Sequence, residues 1–452
     1  MNGWIETYQG QVNAWECDMM GHMNVQFYRT RLSEGLGRLY NQLGLTPGVI
    51  RSGRRTLLTA AERILYQREL RAGGLCHMRS GVLSVSNRSV KTVNELIDSE
   101  SGDVSASFEV TGAYVDMNTG ESIPLPDYFR NRSAGLMVSW KPAYPSSPPN
   151  QDLVAGIDDA GMFETYRNRI NTDQCDHFGI FHPSFQFFGF SHAAGPVMSA
   201  VGLPYSELVR RNWGIAALEY LIEYRQPLHA GNLIVLRSGF LEAGEKVFRF
   251  FHRMLNSETG EVACTIVVTC VIFDTLDRKS LPLPDQLRTY AENSIKVRSK
   301  GIVDISDSIG PPWPVTFKGT AGTWECDDTD QLSEIAFADG FSKATDHLFS
   351  GLGLTQTLRT EGNLCISTRE SRRNLQHTIR KGDLMLIKSG IIEMGAKSAR
   401  IVHRFYEGRS GELAATFEAT VILTDLGSGE ARSFPDFVRT AGQARLIDLK
   451  NK

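Results

Sequence analysis

The chain has 452 residues, enough for about three ordinary domains that each bury a core. A formal net charge of -3 and the lack of any Lys/Arg run leave no footprint for nucleic acid or a membrane surface. Seven cysteines, odd in number and without a C-x-x-C pair, argue against a disulfide framework or a zinc site. No stretch approaches about 18 consecutive apolar residues and the start has no basic, apolar leader, so a reducing, cytoplasmic setting is expected.

In chain order, residues 8–17 have some alternating apolar character and read as a strand. A glycine-containing loop follows. Phe27, Tyr28, Leu32, Leu36, Leu39, Tyr40 and Leu43 then fall at intervals of three and four, the pattern of an amphipathic helix, with Gly44 at the C-cap position. Strands are expected over 56–66, 75–85, 89–97 and 104–115, the last two joined by the turn-rich segment 98–103.

The same order then returns twice. Trp15-Glu16-Cys17-Asp18 recurs as Asp173-Gln174-Cys175-Asp176 and Trp324-Glu325-Cys326-Asp327. The same two offsets carry Gly44-Leu45 onto Gly202-Leu203 and Gly353-Leu354, and Arg79-Ser80-Gly81 onto Arg237-Ser238-Gly239 and Lys388-Ser389-Gly390. They also carry Pro126-Asp127 onto Pro284-Asp285 and Pro435-Asp436. Four landmarks in one ungapped register establish a threefold repeat. Prolines at 142, 145, 148 and 149, and at 311, 312 and 314, mark two extended linkers, giving units at about 1–140, 155–295 and 312–452. One strand, one long helix and an antiparallel meander make each unit α+β, with a sheet that could wrap its helix.

The first unit's loop reads Asp18-Met19-Met20-Gly21-His22-Met23-Asn24, followed by Tyr28 in the helix. This strand, Asp-x-x-Gly-His-x-Asn loop, helix and meander resemble the hotdog fold of 4-hydroxybenzoyl-CoA-type acyl-CoA thioesterases. The resemblance implies three tandem hotdog units and cleavage of an acyl-CoA, with Asp18 as nucleophile or general base. It also implies side-by-side pairing of units, with the active site at the seam.

The residue types suit that chemistry. Thioester cleavage needs a delivered water or carboxylate and donors for the oxyanion, and unpaired N–H groups at a helix start supply such donors. Gly21, His22 and Met23 are placed to offer them. Gly21 lets the backbone approach a ligand, and Asn24 is a good N-cap. His22 could polarise the thioester or position Asp18, and Tyr28 could line the site or merely pack. The second unit keeps Asp176 and Gly179 but has Ile180 in place of His22, with His182 nearby as a substitute imidazole. His177 and His182 lack a third metal ligand, and no metal is expected. The third unit's loop, Asp327-Asp328-Thr329-Asp330-Gln331-Leu332-Ser333, has neither glycine nor histidine and reads as structural.

Arg88 and Lys91 align with Lys246 and Arg249 and with Lys397 and Arg400, so each unit carries a cation pair that could hold coenzyme A phosphates. No cofactor is expected beyond the coenzyme A of the substrate itself. Three units are an odd number: if two pair within a chain, the third needs another chain, which predicts a homodimer of six units and lets the third unit complete a neighbour's site. Two other functions fit less of the sequence. A hotdog enoyl-CoA hydratase would use an Asp-x-Asn-Pro-x-His pattern that is absent, and a non-catalytic acyl-CoA sensor or scaffold would suit the third unit but not the first.

Overall fold

The computed structural model describes residues 3–18, 21–144, 162–296, 313–327 and 329–447. Met19, Met20 and Asp328 of the loops, and Pro145, Pro148, Pro149, Pro311 and Pro312 of the expected linkers, lie outside the described residues.

Each unit runs strand, long helix, short helix, four-strand meander and closing helix. The first has β1 (Ile5–Gln11), α1 (Val25–Gln42), α2 (Pro47–Gly53), β2 (Arg55–Tyr66), β3 (Leu75–Val85), β4 (Ser89–Asp98), β5 (Val104–Asp116) and α3 (Asp127–Ala134). The second has β6 (Phe163–Arg169), α4 (Pro183–Ala200), α5 (Tyr205–Arg210), β7 (Trp213–Tyr224), β8 (Leu233–Ala243), β9 (Val247–Asn256), β10 (Val262–Asp274) and α6 (Asp285–Lys296). The third has β11 (Val315–Thr320), α7 (Glu334–Ser350), α8 (Gln356–Glu361), β12 (Leu364–Leu375), β13 (Leu384–Met394), β14 (Ser398–Glu407), β15 (Leu413–Asp425), the short β16 (Ala431–Arg432) and α9 (Asp436–Gln443). This is the α+β hotdog arrangement, three times in tandem.

The landmarks of the repeat have local physical causes. Gly44, Gly202 and Gly353 take φ of +97°, +75° and +92° just past the long helices, the left-handed position that favours glycine. Ser80, Ser238 and Ser389 each share a hydrogen bond with a threonine of the unit's first strand, Thr7, Thr165 and Thr316, at 2.7, 2.6 and 2.5 Å. Pro126, Pro284 and Pro435 each directly precede the closing helix of their unit. The first strand differs from expectation. It covers Ile5–Gln11, and Ala14–Glu16 instead form a 3-10 turn in which the Glu16 carboxylate accepts the Asn13 N–H at 2.8 Å.

Strand order is β1-β3-β4-β5-β2-β7-β10-β9-β8-β6-β11-β13-β14-β15-β12. The first two units therefore share a ten-stranded sheet through the antiparallel β2–β7 pair, in which Arg63 lies opposite Leu221 and donates to Glu219 at 2.7 Å. The third unit joins at the other side of the second. There β6 meets β11, Thr320 Oγ1 donates to the His192 carbonyl at 2.9 Å, and His347 Nε2–H donates to the Asn168 carbonyl at 2.9 Å. It also reaches the first unit: Trp324 Nε1–H donates to the Trp15 carbonyl at 2.5 Å and its ring lies 5.7 Å from that of Phe27. Among the described residues β12 has β15 on one side and no strand on the other.

Candidate active site

Gly21, in the first unit's loop, has φ of +78°, and nothing lies within 4 Å of where a Cβ would stand. The space beside its Cα is open, though Gly21 itself is not among the residues lining the loop's cavity. Asn24 is the N-cap of α1, its Oδ1 accepting the Gln26 N–H at 2.9 Å. His22 stands between two carboxylates, with Nδ1 3.5 Å from Asp18 Oδ2 and Nε2 3.7 Å from Glu69 Oε1. Tyr28 is buried and accepts the Leu70 N–H at 3.1 Å, so it pins the segment that carries Glu69; burial pushes its hydroxyl up to about 12. It is thus a support for the site more than a ligand.

The expected oxyanion donors need revision. The Gly21 N–H is already bonded to the Asp18 carbonyl at 3.0 Å and the Met23 N–H to the Leu70 carbonyl at 2.8 Å, because the loop closes on itself and against the segment after β2. Among the described residues the His22 N–H has no acceptor. Among the loop's described residues, that amide is available as a donor.

The loop opens onto a cavity of about 1300 Å³ that all three units line. The first unit supplies Asp18, His22 to Val25, Tyr28 and the 66–69 segment. The second supplies an apolar interior beneath α4: Phe190, Met198, Ile215, Tyr220, Phe250, Val268 and Cys270. The third supplies Thr320 to Trp324 and the 380–384 turn. Six cations line it from three units: Arg68 and Arg71, Arg278, and Arg380, Lys381 and Arg409. Arg278 crosses the seam to pair with Glu69. Arg409 Nη1 donates to Ser206 Oγ at 3.2 Å, joining third unit to second.

Arg88, Lys91, Lys246 and Arg249 do not line this cavity. Arg88 donates to the Ser122 carbonyl at 2.8 Å, Lys91 pairs with Glu109 at 2.9 Å and Arg249 with Glu242 at 2.8 Å, all within their own sheets. Their alignment reflects the shared hairpin. Of the cations that do line the cavity, Arg71 and Arg380 share one repeat position, where the second unit has His229, whereas Arg68, Arg278, Lys381 and Arg409 have no cation at their counterparts, so comparing the repeats reveals only part of the set.

Asp176, Gly179 and His182 are also absent from the lining. The Asp176 carboxylate accepts the Phe178 and Ile180 N–H groups at 2.8 and 3.0 Å, which ties it into its own turn. Asp327 does the same with Thr329 and Gln331, and Asp330, at φ +59°, stands where the first two units have glycine. His182 is the N-cap of α4, the counterpart of Asn24 and not of His22, and burial, followed by the Arg29 charge, pushes its imidazole down to about 4. In front of this second loop lie Arg29 and Glu62, a buried pair 2.6 Å apart, with Tyr224 hydroxyl 3.4 Å from Glu62. Their counterparts on the Asp18 side are Phe187, Tyr220 and Tyr66, an aromatic cluster with centroids 5.3 and 5.7 Å apart. The two sides of one seam are thus chemically opposite. Among the described residues no group of three or more His, Cys, Asp or Glu could hold a metal, and no helix is long and apolar enough to cross a membrane.

Similar solved structures include an acyl-ACP thioesterase from Bacteroides thetaiotaomicron (13% identity, 59% of this chain and 98% of that one, TM-score 0.45). A 12:0-ACP thioesterase from Umbellularia californica (9% identity, 59% and 94%, TM-score 0.43) is another, as is a Staphylococcus aureus protein in complex with CoA (14%, 33% and 92%, TM-score 0.28). No curated protein matches the sequence. The thioesterase-like superfamily matches three times, over residues 12–132, 170–289 and 321–442, so the chain belongs to that superfamily and at the level of the family is a thioester hydrolase.

Proposed function

We propose that the chain hydrolyses an acyl-CoA at a single site, in front of Asp18. The observation that carries this is the cavity: Asp18, His22, Met23 and Asn24 of the Asp-x-x-Gly-His-x-Asn loop share it with an apolar interior and cations from three units. The acyl chain would enter beneath α4 and the coenzyme A phosphates would meet Arg68, Arg71, Arg278, Arg380, Lys381 and Arg409. Asp18 would attack the thioester carbonyl or take a proton from water, and the His22 N–H would receive the oxyanion. The second loop would be silent, since an acyl chain there would have to displace the Arg29–Glu62 pair. The test is thiol release from a panel of short, long, aromatic and polar acyl-CoAs. Wild type should release thiol from some member and Asp18→Ala should lose at least about a hundredfold, the scale of a removed acid–base group; an undiminished Asp18→Ala protein would refute the assignment.

The same reading extends to assembly. At the β2–β7 seam Gln26 and Ser184 are buried, yet their third-unit counterpart, Ile335, is 82% exposed, and Leu375, counterpart of Tyr66 and Tyr224, is 52% exposed. Exposed apolar residues at positions that a seam covers elsewhere support pairing of β12 with a second chain, a homodimer of six units.

A further inference from the structure

The cavity reaches well past the seam. Its lining passes from Tyr66 on β2 to Tyr220 on β7, Val268 and Cys270 on β10, and Phe250 and His252 on β9. Those are three strand spacings, about 14 Å. His252 thus lies three strands from Tyr66, beside Phe190 and Phe250, in what is otherwise the apolar part of the cavity. Its ring is stacked on Phe190 (5.8 Å, 10°) and touched edge-on by Phe250 (5.0 Å), so its orientation is fixed.

The third unit holds the same imidazole with every hydrogen bond satisfied. Thr345 Oγ1 lies 3.0 Å from both the Phe341 carbonyl and His403 Nε2, and His403 Nδ1 lies 2.5 Å from Ser389 Oγ, so both ring nitrogens have a hydroxyl partner. The second unit repeats the inner half of this relay: Thr165 and Ser238 are 2.6 Å apart, and Ser238 Oγ is 2.5 Å from His252 Nδ1. The outer half is missing. Where the third unit has Thr345 the second has Ala194, itself part of the cavity wall, and among the described residues His252 Nε2 has no partner.

We infer that His252 Nε2, left open by Ala194, hydrogen-bonds a hydroxyl carried on the acyl chain, so that this cavity selects a hydroxylated acyl group over a plain hydrocarbon one. This rests on the cavity being the acyl site proposed above. A plain chain would strip water from Nε2 and return nothing, whereas a hydroxyl at that depth completes the relay as donor or acceptor. Burial keeps the ring neutral through the ordinary pH range, so it does not call for a carboxylate partner.

The experiment compares octanoyl-, dodecanoyl- and hexadecanoyl-CoA with their terminal-hydroxy counterparts, and the six free acids by calorimetry. Across the lengths one hydroxyl falls at His252. For that member kcat/KM should exceed the plain chain's by about tenfold or more, and the free hydroxy acid should bind tighter by a similar factor. Ala194→Thr, which rebuilds the third unit's closed relay, should abolish the preference; Ala194→Val, equal in volume but without the hydroxyl, should keep it. Equal values for plain and hydroxylated members at every length, or equal loss of preference in the two Ala194 variants, would overturn the inference. If no acyl-CoA is cleaved but a hydroxy acid still binds preferentially, the hydrolase reading fails and the pocket inference stands.

Discussion

Arg29 and Glu62 are buried in front of the Asp176 loop, at positions where the other side of the seam has Phe187 and Tyr220. A buried ion pair costs desolvation that its own attraction repays only while both partners are present. Glu62→Ala, which strands the Arg29 charge, should therefore cost about 3–5 kcal/mol in denaturant unfolding, whereas the double variant Arg29→Phe/Glu62→Tyr should fall within about 1 kcal/mol of wild type or above it. A double variant as damaged as the single one would contradict this account of the seam. Catalysis divides the same way: Asp176→Ala should leave thiol release within about twofold of wild type, and a loss comparable with that of Asp18→Ala would show that the second loop works. The sequence supplied the loop residues but not this division, because Arg29 and Glu62 are far apart in the chain and read singly as solvated charges.

Among the elements, the long helices and meander strands were legible because their periodicity is carried by local apolar spacing: the expected helix at 27–43 is α1 (Val25–Gln42), and the expected strands match β2 to β5 within a residue or two. The first strand was misplaced because Ala14–Glu16 continue an apolar alternation while a side-chain cap turns the backbone into a 3-10 helix. The short helix α2, for which no element was expected, carried a readable signal in Thr46-Pro47, an N-cap before a first-turn proline. β12 raises a different question. Its edge carries Arg369, Arg372 and Arg373, and Arg372 is the counterpart of the Arg63–Leu221 pair on the seam's two-fold, so self-pairing in that register sets Arg372 against its own copy. Charges of this kind blunt a sheet edge, and like charges opposite each other oppose pairing. The expected result by light scattering is a dimer strengthened by added salt, which screens the arginines; a monomer at low and high salt alike would end the six-unit assembly.

For the whole molecule, the packing of three units has consequences for stability and for binding. His192, His252, His347 and His403 are buried and held neutral by desolvation, each pushed down to about 3. Between about pH 6.5 and pH 3 the unfolded chain takes up these protons and the native one does not, so their contribution is present above 6.5 and lost as pH falls. Each is worth up to about 2 kcal/mol at pH 5. Glu325, buried and pushed up to about 7, acts in the opposite sense between 4.5 and 7, as do the Glu62 and Asp383 carboxyls, also raised by desolvation, while His182, pushed down to about 4, acts with the four histidines. The midpoint of thermal unfolding should fall steeply from pH 7 to pH 4, and less steeply in His403→Asn, which installs the first unit's Asn94 at that position; an unchanged slope would contradict this origin. The composite cavity was out of reach of the sequence for a related reason. Arg278, Arg380, Lys381 and Arg409 meet Asp18 only through the β2–β7 seam and the β6–β11 junction, and no internal register records which unit packs on which. The most direct test of a single site assembled from three units is calorimetric titration with a non-hydrolysable thioether analogue of an acyl-CoA that the enzyme cleaves. The account predicts one molecule bound per chain, with weakened binding in Arg380→Ala and Arg409→Ala; two molecules per chain, or binding indifferent to both third-unit arginines, would contradict it.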